Sequence, residues 1–368
     1  MKIFVITHSP SPYQVEFFDE IEKQGACSLE VAYLRKQDPR RRWERSLVNH
    51  ASIELEGSRT AMSRARESAR EADLVVFNYY MHSLAEQLLS ERVAAGGPWC
   101  FWGERPGFRQ PAWAGRLVRK WKLSRLHASA APIWGIGKFA VDEYRREFGP
   151  HRSYFNLPYF SDLQRFSTFA HEERGERVFM FCGSLIKRKG VDLVSSAFVR
   201  LAREVPHVRL RIVGEGQLRS TLTQTLRSVS DRVEFAGFRD WHDLPREYAL
   251  ADVLCVPSRY DGWGLVVAEG LAAGLPVIAT DRMGAALEFL ETGRNGWLIP
   301  AGDEEALLNV MRKAALLPHS TLTQLGRQAR ETVGTHTLQN GARRFLYCAS
   351  AAFSSVSSAL SASSAANV

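Results

Sequence analysis

The chain has few cysteines and no pattern that would use them. Its 368 residues contain five, which are scattered, with no CxxC pair and no Cys/His spacing of the kind that holds zinc. Three of them, Cys100, Cys182 and Cys255, lie in apolar runs typical of buried strands. We therefore predict reduced core cysteines, and neither a disulfide framework nor a structural zinc site.

Long apolar runs are also missing. The first one, at residues 3–6, is too short for the core of a signal peptide and far too short to span a bilayer. No repeat of solenoid period is visible beyond a duplication of architecture. These absences predict a cytoplasmic protein.

The composition that remains is typical of a globular protein. Hydrophobic residues make up 45% of the chain and charged residues 24%, which is enough apolar material to fill sizeable cores. A length of 368 residues exceeds the size at which a single core usually stops growing. We therefore expect two domains.

Positive charge is in excess, with a formal net charge of +8. This sign suits nucleic acid, an anionic membrane or a phosphorylated ligand, but no nucleic-acid-binding motif accompanies it, so we predict no nucleic-acid partner. The charge concentrates in regions 35–45 and 113–125. The second region has four apolar side chains on one face of a predicted helix: Trp113, Leu117, Val118 and Trp121. That helix either lies on an anionic membrane surface or packs into the core with a solvated basic face.

Apolar runs of strand length alternate with helical patterns through most of the chain, which is typical of parallel sheets with crossover helices. We predict a Rossmann-like domain at residues 1–160 and a second at 161–337, followed by a helix at 338–353 and a flexible tail at 354–368. The predicted strands are residues 2–7, 29–33, 74–78, 99–102 and 131–134 in the first domain, and 178–182, 208–213, 233–236, 253–257, 276–279 and 296–299 in the second.

A glycine-containing loop joins the predicted strand at 253–257 to a predicted helix. The backbone N–H groups of Gly264 and Leu265 would point out of the start of that helix toward an anion. Glu269 follows one turn later, where its carboxylate can accept two hydrogen bonds from ribose hydroxyls. Asp261 lies at the loop tip, where it would meet a sugar. The pattern indicates a site for a nucleotide diphosphate.

Residues 257–281 resemble the signature of the retaining family-4 glycosyltransferases, also described as glycosyl transferases group 1. Asp261 and Glu269 match the Glu-x7-Glu pair of that family, with the first acid shorter by one methylene. The resemblance implies the GT-B fold, an α/β architecture in which two Rossmann-like domains face each other across a cleft and the last helix crosses back to the first domain. It assigns Glu269 to the donor ribose and Asp261 to the transferred sugar. No Asp-x-Asp motif occurs, which argues against the metal-dependent glycosyltransferases.

Residues 181–192 are similar to a second stretch of the family, a strand, a glycine turn and a basic pair. The resemblance places Arg188 and Lys189 on the leaving diphosphate, where fixed cations stabilise developing negative charge. Residues 213–216 and 235–238 resemble the family's strand ends around the nucleobase. The residues implied for donor binding are Gly183, Arg188, Lys189, Gly214, Phe238, Asp261, Gly262, Trp263, Gly264, Leu265 and Glu269.

The first half is less diagnostic. Residues 7–14 resemble a Pro-Tyr-Arg variant found in some bacterial members, which brings in Tyr13 as an acceptor contact. Glu104 aligns with the place where the family has a residue near the reacting sugar, and we expect it to contact the acceptor or act as general base. His82 is the other candidate at that centre. The predicted catalytic set is Asp261, Glu104, Arg188 and Lys189.

Other functions stay open. Residues 135–140 fit the GxGxxG/A fingerprint of oxidoreductases, but no acid follows at about 20 residues to hold a ribose, so we interpret the match as coincidence. A nucleotide-sugar 2-epimerase shares the two-domain architecture. A non-catalytic nucleotide-sugar-binding module is the remaining alternative, with Asp261 as the mark of lost activity.

Taken with the resemblance, the sequence predicts a retaining glycosyltransferase that needs no metal and no cofactor. It would move a hexose-type sugar from a nucleotide diphosphate sugar to a glycan or lipid-linked acceptor. The implied setting is bacterial cell-surface polysaccharide, lipopolysaccharide or glycolipid synthesis. The basic regions 35–45 and 113–125 suggest peripheral attachment to the inner face of the cell membrane.

Overall fold

A computed structural model describes residues 1–38, 46–79, 81–106, 112–168 and 175–365, with the side chains of 112–113 and 356–365 left out. The chain divides into two compact units. The first comprises Met1–Asp162 together with Thr337–Val368, and the second comprises Leu163–His336.

The first unit is built on a parallel sheet. Its strands are β1 (Lys2–Thr7), β2 (Ser28–Tyr33), β3 (Ala51–Glu54), β4 (Leu74–Phe77), β5 (Trp99–Gly103), β6 (Ile133–Gly135) and β7 (Tyr154–Asn156). They lie in the order β3-β2-β1-β4-β5-β6-β7. Val75 and Val76, which point to opposite faces of β4, are both fully buried, so the sheet is covered on both sides.

Helices connect these strands. They are α1 (Pro12–Gln24), α2 (Arg59–Glu71), α3 (Ser83–Ala94), α4 (Ala112–Lys122), α5 (Ser124–His127) and α6 (Lys138–Phe148). Their ends follow local chemistry: Pro12 opens α1, Gly25 closes it in the left-handed conformation, and the Ser58 hydroxyl caps α2 by accepting from the Ala61 N–H at 3.1 Å.

The second unit repeats this plan with the strands β8 (Arg177–Cys182), β9 (Val208–Val213), β10 (Val233–Gly237), β11 (Val253–Val256), β12 (Val277–Thr280) and β13 (Gly296–Ile299). Their order is β10-β9-β8-β11-β12-β13, and all pairs are parallel. The helices are α7 (Val191–Glu204), α8 (Arg219–Thr225), α9 (Leu244–Ala249), α10 (Leu265–Ala273), α11 (Gly284–Phe289), α12 (Glu304–Leu316) and α13 (His319–Val333). The prediction of two α/β Rossmann-like domains is confirmed.

The last helix, α14 (Leu338–Ala365), belongs to the first unit. Ala342, Phe345, Ala349 and Ala352 are buried at helical spacing, and the Phe345 ring lies 5.5 Å from that of Trp134. The helix continues beyond its predicted end at residue 353, through the first part of the predicted flexible tail, to Ala365. Alanine is the strongest helix former, so this Ser- and Ala-rich segment can be helical although it lacks the apolar periodicity from which a helix is predicted.

Each sheet has one point at which the chain order reverses. It lies between β1 and β4 in the first unit and between β8 and β11 in the second. Loops leaving the carboxyl ends of two such strands turn to opposite faces of the sheet and leave a crevice, where open α/β sheets bind their ligands.

Candidate functional site

The crevice of the second unit lies where β8 and β11 end. Two loops leave this edge, and their backbones touch at a glycine. Gly190 has φ +75°, and a Cβ there would lie 2.0 Å from the Pro257 carbonyl oxygen. The Arg259 N–H also donates to the Arg188 carbonyl oxygen at 2.8 Å. The loops that precede α7 and α10 are therefore held together before any ligand arrives.

A side-chain clamp that the sequence reasoning missed strengthens this junction. The Arg259 guanidinium donates to both carboxylate oxygens of Asp192, at 2.7 and 2.8 Å, and to the Lys187 carbonyl oxygen at 2.5 Å. Arg259 lies within the motif resembled by residues 257–281, but nothing in the sequence pairs it with Asp192 in the first turn of α7.

Gly183 and Gly214 form a second close backbone contact at the same edge. Gly214 has φ +131°, and a Cβ there would lie 2.0 Å from the Gly183 carbonyl oxygen. The Gly214 N–H donates to the Gly237 carbonyl oxygen at 2.7 Å. Packing of the neighbouring strand ends thus requires glycine at position 214, whereas position 183 favours glycine through its φ of +150°. Both requirements are compatible with the donor-binding role predicted for these residues. Phe238, the next residue after β10, is partly exposed.

The predicted cations meet the predicted sugar-contacting acid. Lys189 forms a salt bridge with Asp261. Arg188 Nη1 lies 3.8 Å from Asp261 Oδ1 and donates to the Tyr260 carbonyl oxygen at 3.0 Å. Arg188 and Lys189 stand just before the N-terminus of α7, where cations oppose the helix dipole. An anion bound at this point would remove that conflict.

Gly264 begins α10 in the left-handed conformation, with φ +89° and no side-chain cap. A Cβ on Gly264 would lie 2.7 Å from the Met283 methyl group and 3.7 Å from the Asp261 carboxyl carbon. The N-terminus of α10, with the N–H groups of its first turn from Leu265 onward, therefore lies beside the Asp261 carboxylate. Gly262 is buried in the same loop.

Trp263 faces away from this crevice. Its side chain is buried and packs against the Phe289 and His336 rings, at centroid distances of 5.7 and 6.3 Å. A ligand in the crevice can reach only the backbone of Trp263, so the donor-binding role predicted for this residue would be a main-chain contact. The indole anchors the loop to the core.

Glu269 lies in α10 and is only 4% exposed. Its Oε2 accepts a hydrogen bond of 2.7 Å from the hydroxyl of Tyr248. Burial, and after it the nearby Glu269 charge, raise the pKa of the Cys182 thiol to about 12. Tyr248 was not predicted, because its link to Glu269 depends on tertiary packing.

The first unit holds the three predicted acceptor residues. Tyr13 packs against Tyr159 at a ring distance of 5.0 Å. Burial raises the pKa of Tyr159, and the charges of Tyr13 and Glu104 raise it further, which places the exposed Glu104 near this pair. His82 caps a helix: its Nδ1 accepts a hydrogen bond of 3.3 Å from the Leu84 N–H at the start of α3.

Helix α4 presents apolar side chains to solvent. Leu117, Val118 and Trp121 are 60%, 52% and 74% exposed, so this face does not pack into the core of the structure. Region 35–45 lies outside the described residues from position 39 onward. No helix in the described part of the chain is both long and apolar enough to cross a membrane. Among the same residues, no group of three or more His, Cys, Asp or Glu side chains is arranged to hold a metal ion.

Sequence comparison identifies the second unit. Residues 164–332 match the family model described as Glycosyl transferases group 1. The GDP-mannose-dependent alpha-(1-6)-phosphatidylinositol monomannoside mannosyltransferase of Mycolicibacterium smegmatis is 30% identical over 213 residues, which are 53% of this chain and 56% of that protein. The lipopolysaccharide core biosynthesis glycosyltransferase LpsE of Rhizobium meliloti is 33% identical over 159 residues, 42% of this chain and 44% of that protein. The chain thus spans about half the length of these curated relatives.

Solved structures extend the likeness to both units. Anabaena HepE in complex with UDP matches with a TM-score of 0.75 at 16% identity, covering 95% of this chain and 100% of that one. Sucrose-phosphate synthase from Thermosynechococcus elongatus matches with a TM-score of 0.75 at 20% identity, covering 96% and 99%. At such identities the likeness concerns the fold. The second unit therefore matches the glycosyl transferases group 1 family model, in a chain that has the fold of the GT-B glycosyltransferases.

Proposed function

We propose that the protein is a retaining glycosyltransferase that moves a hexose from a nucleotide diphosphate sugar to a glycan or lipid-linked acceptor. One observation carries this proposal: Arg188 and Lys189 converge on Asp261 at the switch point of the second sheet, next to the start of α10. Two cations sharing one carboxylate leave a net positive charge beside two helix N-termini. A diphosphate is the ligand that suits this charge and these N–H groups.

In this proposal the diphosphate lies against Arg188, Lys189 and the first N–H groups of α10. The ribose hydroxyls donate to Glu269, and Asp261 contacts the sugar. Because the two cations and the helix starts meet the charge of the leaving diphosphate, the transfer needs no metal ion. The fixed geometry provides this stabilisation without reorganisation during the reaction.

The transfer step follows from the same arrangement. The bond between the sugar C1 and the phosphate oxygen breaks, and the acceptor hydroxyl oxygen forms a bond to C1 on the same face. The acceptor proton passes to the leaving phosphate oxygen, so atoms and charge balance and the configuration is retained. Glu104 is assigned to the acceptor, with Tyr13 beside it. His82 is a weaker candidate, because its ring nitrogen already caps α3.

Two donors are the first to test. The M. smegmatis relative is named for GDP-mannose, and HepE has been solved with UDP-glucose. The names of relatives also motivate the acceptor class, since they include a phosphatidylinositol mannoside enzyme and a lipopolysaccharide core enzyme. We place the protein in cell-surface glycolipid or polysaccharide synthesis.

An acceptor of this class is reached at a membrane surface, and α4 supports such contact. Its apolar side chains Leu117, Val118 and Trp121 are exposed. The exposed cations beside them are Arg116, Lys120, Lys122 and Arg125, and no acid interrupts this run. We assign this surface, the α4 patch, to the anionic inner face of the cell membrane. The groove next to Trp121 is lined by the acids Glu86 and Glu91 of α3. Because an anionic membrane repels these acids, we place the membrane contact along α4 and α5 and not at the groove.

A donor screen tests the proposed activity. The full chain is incubated with a panel of nucleotide sugars, and release of nucleoside diphosphate is measured with and without lipid or glycan acceptors. We expect one donor to be turned over and Glu269→Ala to weaken binding of its nucleotide, because the ribose contact is lost while the diphosphate contacts remain. NMR of the product should show the anomeric configuration of the donor.

Three outcomes contradict the proposal. Conversion of the donor to its C2 epimer without transfer identifies the epimerase alternative, and tight binding without turnover identifies a binding module. An inverted product removes the retaining mechanism.

A further inference from the structure

A buried hydroxyl group stands behind the carboxylate assigned to the donor ribose. Tyr248 lies in α9 and is fully buried. Its hydroxyl donates to Glu269 Oε2 at 2.7 Å, which links α9 to α10. The Cys182 thiol at the end of β8 lies near the same group and adds to the rise in the Tyr248 pKa.

The Tyr248 ring is held by aromatic packing, which fixes the position of its hydroxyl. Phe166 contacts it edge-on at a centroid distance of 5.1 Å, and Phe166 also packs on Trp241 at 6.4 Å. Phe166 lies in the short 3₁₀ turn Gln164–Ser167, at the beginning of the second unit. A ring packed in this way has little freedom to move its hydroxyl away from Glu269.

The Tyr248 hydroxyl can donate to Glu269 only while it keeps its proton. Burial raises the pKa of Tyr248 well above its usual value, and the neighbouring Cys182 and Glu269 raise it further. The phenol therefore keeps its proton at neutral pH and donates to the carboxylate. A carboxylate that is 4% exposed requires such a partner, since an unsatisfied buried charge is costly.

We propose that Tyr248 is a positioning residue that holds the Glu269 carboxylate in the orientation that accepts the ribose hydroxyls of the donor. The inference rests on the proposed function, because it takes Glu269 as the ribose ligand. A carboxylate has acceptor sites for several hydrogen bonds, so one oxygen can serve Tyr248 while the group also receives the ribose diol. Tyr248 thereby sets affinity for the ribose and leaves the contacts of the base and the diphosphate unchanged.

Calorimetric titration of the full chain with two ligands separates this role from a general structural one. The ligands are the nucleoside diphosphate of the base selected by the donor screen and its 2′,3′-dideoxy analogue. Tyr248→Phe removes one oxygen and keeps the ring. We expect it to weaken the ribonucleotide about tenfold, the effect of losing one hydrogen bond to a charged group, and to leave the dideoxy analogue unchanged.

Tyr33→Phe is the matched control. Tyr33 is another buried phenol, whose hydroxyl bonds His50 Nε2 at 2.9 Å in the first unit. The Tyr33→Phe substitution should leave the affinities for the ribonucleotide and for the dideoxy analogue unchanged. In a Glu269→Ala background, Tyr248→Phe should have no further effect on the ribonucleotide.

Each alternative result overturns the inference. Equal weakening of both ligands means that Tyr248 supports the fold of the site in general. Tighter binding of the ribonucleotide means that Tyr248 competes with the ribose for Glu269, and unchanged affinity means that it has no part in binding. If Glu269→Ala itself leaves ribonucleotide affinity unchanged, the ribose assignment in the proposed function fails, which is a separate result.

Discussion

Lys189 and Asp261 form a salt bridge in which each side chain is only 14% exposed. Lys189 engages Oδ2 of the carboxylate, and Arg188 Nη1 lies 3.8 Å from Oδ1. Asp261 therefore keeps two mutually repelling cations together at the start of α7. In the proposed reaction, a diphosphate adds its negative charge to this pre-assembled pair, which lowers the cost of ordering the cations on binding.

Lys189→Met removes the charge and keeps most of the stem. We expect kcat to fall about 100-fold, because one fixed group that stabilises the leaving charge is lost. Arg188→Ala should have a smaller effect, since Arg188 is the more exposed of the two. Lys187→Ala removes an exposed cation from the same turn and serves as control. Steady-state kinetics with the identified donor measure all three. A Lys187→Ala loss as large as that of Lys189→Met would show that only total charge matters.

Asp261→Asn and Asp261→Glu separate the charge of this residue from its length. Asparagine keeps the shape but leaves Lys189 without its anionic partner, and we expect a loss of about 100-fold in kcat. Glutamate, the residue of the family signature, keeps the charge and should retain at least about a tenth of the activity. Full activity of Asp261→Asn in the same kinetic assay would exclude a role for the carboxylate in transfer.

The interior strands were predictable, whereas the outer strands of the first sheet were not. The interior strands β1, β4 and β11 lie within one residue of their predicted bounds, because continuous apolar runs mark strands buried on both faces. Strands β3 and β7 were missed. They are the two edges of the seven-stranded sheet, and the short sequences Ala51–Glu54 and Tyr154–Asn156 carry polar residues and no apolar run.

Within the candidate site, the sequence indicated the residues of each loop but not their partners. The meeting of Lys189 with Asp261 was not predicted, since spacing along the chain carries no information on contacts between loops. Tyr248 has no motif of its own and acts only through Glu269. For Trp263 the sequence indicated a donor contact but not the direction of the side chain, which fills the core behind the loop and leaves only the backbone for a ligand.

Gly190→Ala tests the contact between the two site loops. Gly190 has φ +75°, and an added Cβ would lie 2.0 Å from the Pro257 carbonyl oxygen. Gly302 is the control, with φ +85° and no atom within 4 Å of its Cβ position. We expect Gly302→Ala to lower the free energy of unfolding by about 1 kcal/mol, the cost of a left-handed alanine. Gly190→Ala should cost more than about 4 kcal/mol, because backbone must also move. Denaturant titration measures the free energy of unfolding of both variants. Equal decreases would mean that the two site loops move apart at little cost.

His50 makes the stability of the first unit depend on pH. Its ring is buried between Tyr33 and Asp19, and burial lowers its pKa although the Asp19 hydrogen bond opposes this. As the pH is lowered, the His50 side chain of the unfolded chain takes up a proton at about pH 6.5, whereas that of the folded chain does so only at lower pH. The stability of the fold therefore falls as the pH drops below about 6.5. His50→Gln should flatten the change in melting temperature between about pH 7.5 and about pH 5.5. His151→Gln, at an exposed position, is the control. An unchanged slope for His50→Gln would place the pH dependence elsewhere.

The α4 patch should bind anionic membranes. Wild-type protein is expected to float with vesicles that contain phosphatidylglycerol and not with neutral vesicles, because each cation near the surface contributes about 1 kcal/mol. Trp121→Ser removes the most exposed apolar anchor of the patch, and Lys120→Glu with Lys122→Glu reverses its charge. Both changes should abolish flotation. Leu316→Ser is the matched control, since Leu316 is 68% exposed in the second unit. Flotation of the wild type that survives both changes would assign membrane contact to another surface, and the absence of flotation with either lipid would remove the membrane from the proposed function.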